Sequence, residues 1–295
     1  MIMKKNLNNR IINCNFIILL FSIICLAKPV FSQSSDIDSS FHPYHFNYWV
    51  TGSIIGVGAV ANFLGISESQ NKIAITPLEL QSLNKNVMNG LDIWALKQDP
   101  SNTAVYFNYS TGTLITSITL PFLLMFDKQI RHDWFDMLLM YAETMSITDN
   151  IYEWSFLGPA FQNKFRPVTY YNQLSYSQRN VGTNRNSFYS GHVAVAAAAT
   201  FFIAQVYCDY NPGLGDKKYL IYGAALIPPL ILGYFRVKTL MHFPSDVMSG
   251  LAIGALCGIL IPEFNRISTK KVSVGLYSST EGTGLSLQWR PDLGK

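Results

Sequence analysis

The sequence predicts an all-α protein: a bundle of apolar helices, membrane-associated or multi-spanning, followed by a short C-terminal β-hairpin. Three observations lead there. Of 295 residues, 49% are hydrophobic and only 14% are charged, which calls for a large buried core or a bilayer. The apolar residues fall in successive segments of helical length separated by polar connectors. The tail after residue 266 alternates apolar and polar side chains instead. Mean hydropathy is +0.17, below that of a chain made mostly of uninterrupted spans, so the composition lies between the soluble and membrane classes. A net charge of +4 without a concentrated basic stripe excludes a nucleic-acid partner.

Residues 1–32 read as an export signal. Lys4, Lys5 and Arg10 precede the apolar run from Ile11 to Ala27, and Val30-Phe31-Ser32 gives small residues at the cleavage point. The alternative is an uncleaved anchor, since the run approaches the lower limit for spanning. A lipoprotein signal is disfavoured because Cys25 follows Ile23-Ile24. Residues 33–106 form an N-terminal helical region, with helices expected over Tyr48–Leu64 and Pro77–Leu96. Residues 107–265 form the core, with helices over Tyr109–Phe126, Trp134–Phe156, Gly191–Tyr207, Lys218–Tyr234 and Asp246–Ile261. The connector from Gly158 to Phe188 is too long to be a simple turn and carries Arg166, Arg179 and Arg185. In residues 266–295, Val272-Ser-Val-Gly-Leu-Tyr and Gly284-Leu-Ser-Leu-Gln-Trp flank Glu281-Gly282, the pattern of a hairpin. Cys14 and Cys25 belong to the signal, whereas Cys208 and Cys257 suit small hydrophobic packing. No CxxC or His-rich spacing marks a metal site. His42, His45 and His132 match no motif and read as structural or surface residues.

Chemistry concentrates in three short stretches: Lys164-Phe-Arg166-Pro167, Ser187-Phe-Tyr-Ser190-Gly191-His192, and Arg236-Val-Lys-Thr-Leu-Met-His242-Phe-Pro-Ser-Asp246. Arginine's planar fork matches phosphate oxygens. A Ser-Gly step at a helix start adds backbone donors. One histidine can attack phosphorus while another protonates the departing alkoxide. His242 and Asp246 are four apart at a helix start, so the carboxylate is expected to accept from one imidazole nitrogen and leave the other as nucleophile. The helix starts at His192 and His242 are expected to converge on one phosphate.

These stretches resemble the phosphatidic acid phosphatase type 2 and haloperoxidase superfamily, marked by K-x6-R-P, P-S-G-H and S-R-x5-H-x3-D. Arg166-Pro167 matches the end of the first motif, Ser190-Gly191-His192 the second, and Arg236, His242 and Asp246 the third with its spacing intact. The resemblance covers roughly residues 108–262. It implies the bundle of that superfamily, a metal-independent phosphatase without cofactor, and a phosphohistidine on His242. His192 would then be the general acid and Asp246 would position the nucleophile. Arg166, Arg236, Ser190 and the backbone of Gly191 would hold phosphate. Two departures stand out. Pro159 occupies the place of the motif lysine, for which Lys164 is the candidate substitute, and Tyr189 replaces the motif proline.

The implied substrate is a phosphomonoester or diphosphate, of a lipid or of a small soluble molecule. Alternatives are a soluble periplasmic nonspecific acid phosphatase, a vanadate-dependent haloperoxidase and an inactive envelope protein. The expected place is the cell envelope, membrane-associated, with the site facing the periplasm. After a cleaved signal, an even number of crossings must precede Gly191. Tyr48–Leu64 and Tyr109–Phe126 supply two, so the Trp134 segment, with Asp136, Glu143, Asp149 and Glu153, is expected not to cross.

Overall fold

Long helices determine the architecture because the apolar segments are uninterrupted over 17–23 residues. The computed structural model describes residues 42–85 and 88–266, together with the backbone of 272–279 and 282–289. The expected export signal, with Cys14 and Cys25, lies outside the described residues. The long helices are α1 (Tyr48–Gln70), α2 (Thr103–Thr119), α3 (Trp134–Trp154), α4 (Gly191–Tyr210), α5 (Lys218–Ala225), α6 (Ile227–Lys238) and α7 (Pro244–Asn265). Strands β1 (Val272–Ser279) and β2 (Gly282–Trp289) pair antiparallel, with Val272 opposite Trp289 and Ser279 opposite Gly282.

The helices run alternately up and down between two faces. α1 and α3 are parallel: Tyr48 bonds to Asp136 near their starts, and Trp154 Nε1 donates to the Ala61 carbonyl near the other end. α4 runs opposite to α3, since Tyr152 lies against Gly191 while the Tyr210 hydroxyl reaches Asp133. α4 and α7 are parallel and very close. Gly250, Gly254 and Gly258, four apart on α7, meet the backbone of Ser190, Ala194 and Ala198. A Cβ at Gly254 would lie 2.0 Å from the Ala194 carbonyl oxygen. Small residues here let two backbones touch, the usual device where packing, not burial from water, holds helices together. The segment before α1 also meets the end of α7: Tyr44 and Arg266 form an antiparallel bridge, and His45 N–H donates to the Asn265 carbonyl.

Among the described residues, five segments are long and apolar enough to cross a membrane: Tyr48–Gln70, Pro100–Phe126, Gly191–Tyr210, Pro212–Lys238 and Pro244–Asn265. Their outer surfaces are apolar, with Val57, Val60 and Phe63 of α1 all more than 60% exposed. Aromatic side chains gather at both ends, Trp94, Tyr109 and Tyr234 near the starts of α2 and α7, Tyr48, Trp49, Phe135 and Tyr219 at the other. That distribution suits two membrane interfaces.

The Trp134 segment, expected not to cross, is not among these five, yet it is as deep as the bundle. At 21 residues, α3 is about 31 Å long. Its carboxylates do not face lipid: Glu143 and Glu153 are buried, and Glu143 accepts from Thr51 of α1 and Asn265 of α7. The cost that argues against a crossing applies only to lipid-exposed charge. The helix expected over Pro77–Leu96 is also absent. Only Pro77–Gln81 is α-helical, with a 3-10 segment at Asp92–Lys97. Asn89 is the cause, since its side chain bonds both the backbone N–H and the carboxylate of Asp92 and supports a turn in place of a helix. The Lys218 segment divides at Leu226, where Pro228 and Pro229 start α6 without amide donors.

Candidate active site

The site lies where α4 and α7 begin and α6 ends, covered by the connector between α3 and α4. Arg236 sits in the last turn of α6, 4% exposed, and its Nε has no hydrogen-bond partner among the described residues. The hydroxyl of Ser190, the N-cap of α4, is buried without a partner too. Buried polar atoms are rarely left so, and two donors at one helix N-terminus leave a place shaped for an anion. Gly191 begins the helix because a Cβ there would meet the Tyr152 ring at 2.9 Å. His192 follows, exposed. Arg166 is set by its backbone N–H on the Asn184 carbonyl, and its side chain donates to the Asn186 carbonyl and meets Met241 Sδ.

His242 is 1% exposed. Two residues past the end of α6, Leu240 adopts the left-handed region, φ 60, a strained conformation for a bulky side chain that turns the chain back so that His242 points inward. Its Nδ1 lies 2.7 Å from the Ser187 carbonyl oxygen, so Nδ1 carries the proton and Nε2 keeps its lone pair. Burial, then Arg236 and Arg166, push this imidazole well below its ordinary range, and His192 adds to the effect. His242 is therefore neutral at pH 7.

Asp246 does not touch His242 directly, contrary to the expectation from their spacing. Its Oδ2 accepts from the Ser187 hydroxyl at 2.6 Å and the Phe243 N–H at 2.8 Å. Ser187 thus joins the two, hydroxyl toward the carboxylate and carbonyl toward the imidazole. Lys164 is likewise engaged elsewhere than on the anion position: its Nζ lies 2.6 Å from Asp246 Oδ1, 3.2 Å from Ser245 Oγ and 3.9 Å from Asp92. The N-terminus of α7 is filled as well, because Asp92 accepts from Ser245 N–H and Ser245 Oγ. The expectation that two helix starts converge on phosphate is corrected: the start of α4 is open, while carboxylates occupy that of α7. Arg179 and Arg185 turn away, Arg179 to the Thr169 carbonyl and Arg185 to Glu79.

Asp92 and Ser187 are the residues that sequence reasoning missed. Asp92 sits far upstream in a stretch that reads as helix, and no local pattern marks it. Ser187 opens the second motif stretch and could have been noticed there as a hydroxyl within reach of the motif acid.

Residues 134–269, which include every one of these groups except Asp92, match the family model described as the PAP2 superfamily. That stretch, a little under half of the chain, is similar to the PAP2 superfamily. A curated relative, phosphatidylglycerophosphatase B of Bacillus subtilis (strain 168), is 32% identical over 80 residues, 27% of this chain. The match spans 39% of that relative's length. A crystal structure of a transmembrane PAP2 type phosphatidylglycerolphosphate phosphatase from Bacillus subtilis aligns over 72% of this chain and 94% of its own. Identity there is 17% and the TM-score 0.36. Within the matched residues the three motif stretches, read in order, meet at one end of the bundle.

Proposed function

We propose that this protein is a metal-independent phosphatase that releases phosphate from a membrane lipid carrying a phosphomonoester or diphosphate, through a phosphohistidine on His242. The carrying observation is the neutral, buried His242, fixed through Nδ1 on the Ser187 carbonyl, beside the unpaired Nε of Arg236 and hydroxyl of Ser190.

Nε2 of His242 attacks phosphorus, the P–O bond to the leaving group breaks, and His192 gives a proton to the departing oxygen. Arg166, Arg236, Ser190 and the open N-terminus of α4 stabilise the equatorial oxygens as charge spreads over them. Water then attacks the phosphohistidine, His192 takes its proton, and phosphate leaves with His242 regenerated. Asp246 acts through Ser187, making its hydroxyl a firm donor and so fixing the carbonyl that orients the ring. Lys164 balances the charge of Asp246.

A lipid substrate is supported by the apolar, aromatic-rimmed surface around the catalytic end, which holds a lipid headgroup at the level of the site. The Bacillus relatives are named for phosphatidylglycerophosphate, a lipid phosphomonoester. The catalytic face is assigned to the periplasmic side, since Lys128, Arg131, Lys217, Lys218 and Arg266 flank the opposite ends of the helices. Lys72, Lys85, Lys97 and Lys238 at the catalytic end offset part of that bias.

The test is phosphate release by the purified full chain, with EDTA present, from phosphatidate, phosphatidylglycerophosphate, polyprenyl diphosphate and soluble aryl phosphate. A lipid should be the preferred substrate, and an acid-labile phosphoenzyme should form in the wild type and be absent from His242→Ala. Strict dependence on a divalent ion, or a phosphoenzyme in His242→Ala, overturns the mechanism. Preference for the soluble ester overturns the lipid assignment.

A further inference from the structure

At the end of the bundle away from the catalytic site, three side chains from two distant segments converge. His42 precedes α1, and His132 and Asp133 form the turn into α3. Nδ1 of His42 lies 2.9 Å from the Asp133 carboxylate, within reach of both its oxygens, and Nδ1 of His132 lies 3.2 Å from Oδ1. One donor atom from each of the three is within 4.8 Å of the others. The imidazoles stand at the surface while the Asp133 side chain is 11% exposed. Behind it, the Tyr210 hydroxyl donates to Oδ2, which fixes the carboxylate toward both rings. A cavity of about 250 Å³ adjoins the group, lined by His42, Tyr44, Asp133, Asp136 and Tyr210, so a second carboxylate borders the same space.

Two imidazole nitrogens and a carboxylate oxygen are the donors that borderline divalent transition metals prefer, Zn²⁺ above all. An oxygen-seeking cation such as Ca²⁺ wants six or more oxygens instead. Bound ligand atoms at about 2.0–2.2 Å from zinc lie farther apart than the present hydrogen bonds, so small side-chain rotations admit the ion between them. A hydrogen bond from a neighbouring group to a ligating carboxylate is the usual support of such a site, and Tyr210 provides it here. Burial works to raise the Asp133 carboxyl, but the hydrogen bonds from Tyr210, His42 and His132 outweigh it and hold the group below its ordinary range. It is the anionic ligand a cation needs.

We propose that His42, His132 and Asp133 bind a single Zn²⁺-class ion on the face opposite the catalytic site. The ion is structural in role. It clips the segment before α1 to the turn before α3, 91 residues away in sequence, and takes no part in phosphate chemistry.

The test uses the full chain in detergent, stripped with a chelator, dialysed, and titrated with Zn²⁺ in competition with a chromogenic zinc indicator. The expected result is one Zn²⁺ per chain, with affinity reduced at least about tenfold in His42→Ala and in Asp133→Asn, and binding abolished in the His42→Ala/His132→Ala double variant. Phosphate release by His42→Ala should equal that of wild type with or without Zn²⁺. Absence of stoichiometric binding, or equal binding by the double variant, overturns the proposal. Both histidines are exposed, so their removal leaves the core packing intact. If Asp133→Asn fails to fold, the His42→Ala titration decides alone.

Discussion

Removing the Ser187 hydroxyl isolates the link between Asp246 and the nucleophile, because Ser187→Ala keeps the backbone carbonyl that receives His242 Nδ1 and deletes only the 2.6 Å bond to Asp246 Oδ2. A hydrogen bond to a charged group contributes about 1.5–3 kcal/mol. If about half of that reaches the transition state, kcat/KM falls about tenfold. Asp246→Asn loses more: the charge facing Lys164 at 2.6 Å and the charge on the Phe243 amide bond go together with the serine bond. A loss of about a hundredfold is expected, at about 1.4 kcal/mol per decade. The double variant should be no slower than Asp246→Asn, since the serine effect passes through the carboxylate. Neither group contacts the anion position, so KM should change little. The assay is steady-state phosphate release from an aryl phosphate and from a short-chain lipid phosphate in micelles. A Ser187→Ala enzyme as fast as wild type, or a double variant whose loss is the product of the single losses, refutes the indirect linkage.

Three other outcomes follow from the same geometry. His242 in the free protein should stay neutral as pH falls through about 6.5, the ordinary imidazole value, because its shift is downward; proton binding, and the loss of the Nε2 lone pair, come only at lower pH. A histidine-labelled NMR titration of wild type against His242→Asn reads this directly, and a ring that titrates near 6.5 contradicts it. His192→Ala should still form phosphoenzyme from an activated aryl phosphate while losing most turnover of an alkyl phosphate, as a general acid requires; equal losses on both give His192 another role. Gly254→Ala should destabilise the bundle by about 1–3 kcal/mol through overpacking, given a Cβ 2.0 Å from the Ala194 carbonyl. That appears as earlier thermal inactivation in detergent, whereas Gly52→Ala, with open space around it, should leave inactivation unchanged.

Helix positions were legible in the sequence where apolar length alone determines them. α1, α3, α4 and α7 begin within two residues of the expected starts, because each start carries a turn residue or follows a polar connector. The stretch from Pro77 to Leu96 was misread because its periodicity is overridden by the Asn89 and Asp92 side chains. Motif spacing in the second half brought out Arg166, Ser190, His192, Arg236 and His242, and the fold gathers them at one end. What spacing cannot encode is which polar atom a carboxylate chooses. Four residues separate His242 and Asp246, yet the intervening turn gives Asp246 the Phe243 amide and leaves Ser187 between acid and base. The glycines at 250, 254 and 258 were visible as letters, but their purpose needs the neighbouring backbone of α4.

Since α1 starts and α7 finishes on the same side of the bundle, a bundle that spans a bilayer puts both of these ends in one compartment and the candidate site in the other. A periplasmic pocket therefore sets residues 42–47 and Arg266 in the cytoplasm, which is incompatible with signal cleavage near residue 32 outside the same bilayer. A processed leader would, conversely, turn the pocket inward and restrict it to phosphates made inside the cell. Export signal and outward-facing chemistry, each reasonable from local sequence, are thus mutually exclusive for one membrane. Labelling a single cysteine placed at Arg266 with an impermeant thiol reagent, in a background where Cys14, Cys25, Cys208 and Cys257 are replaced, tells which of the two the cell uses.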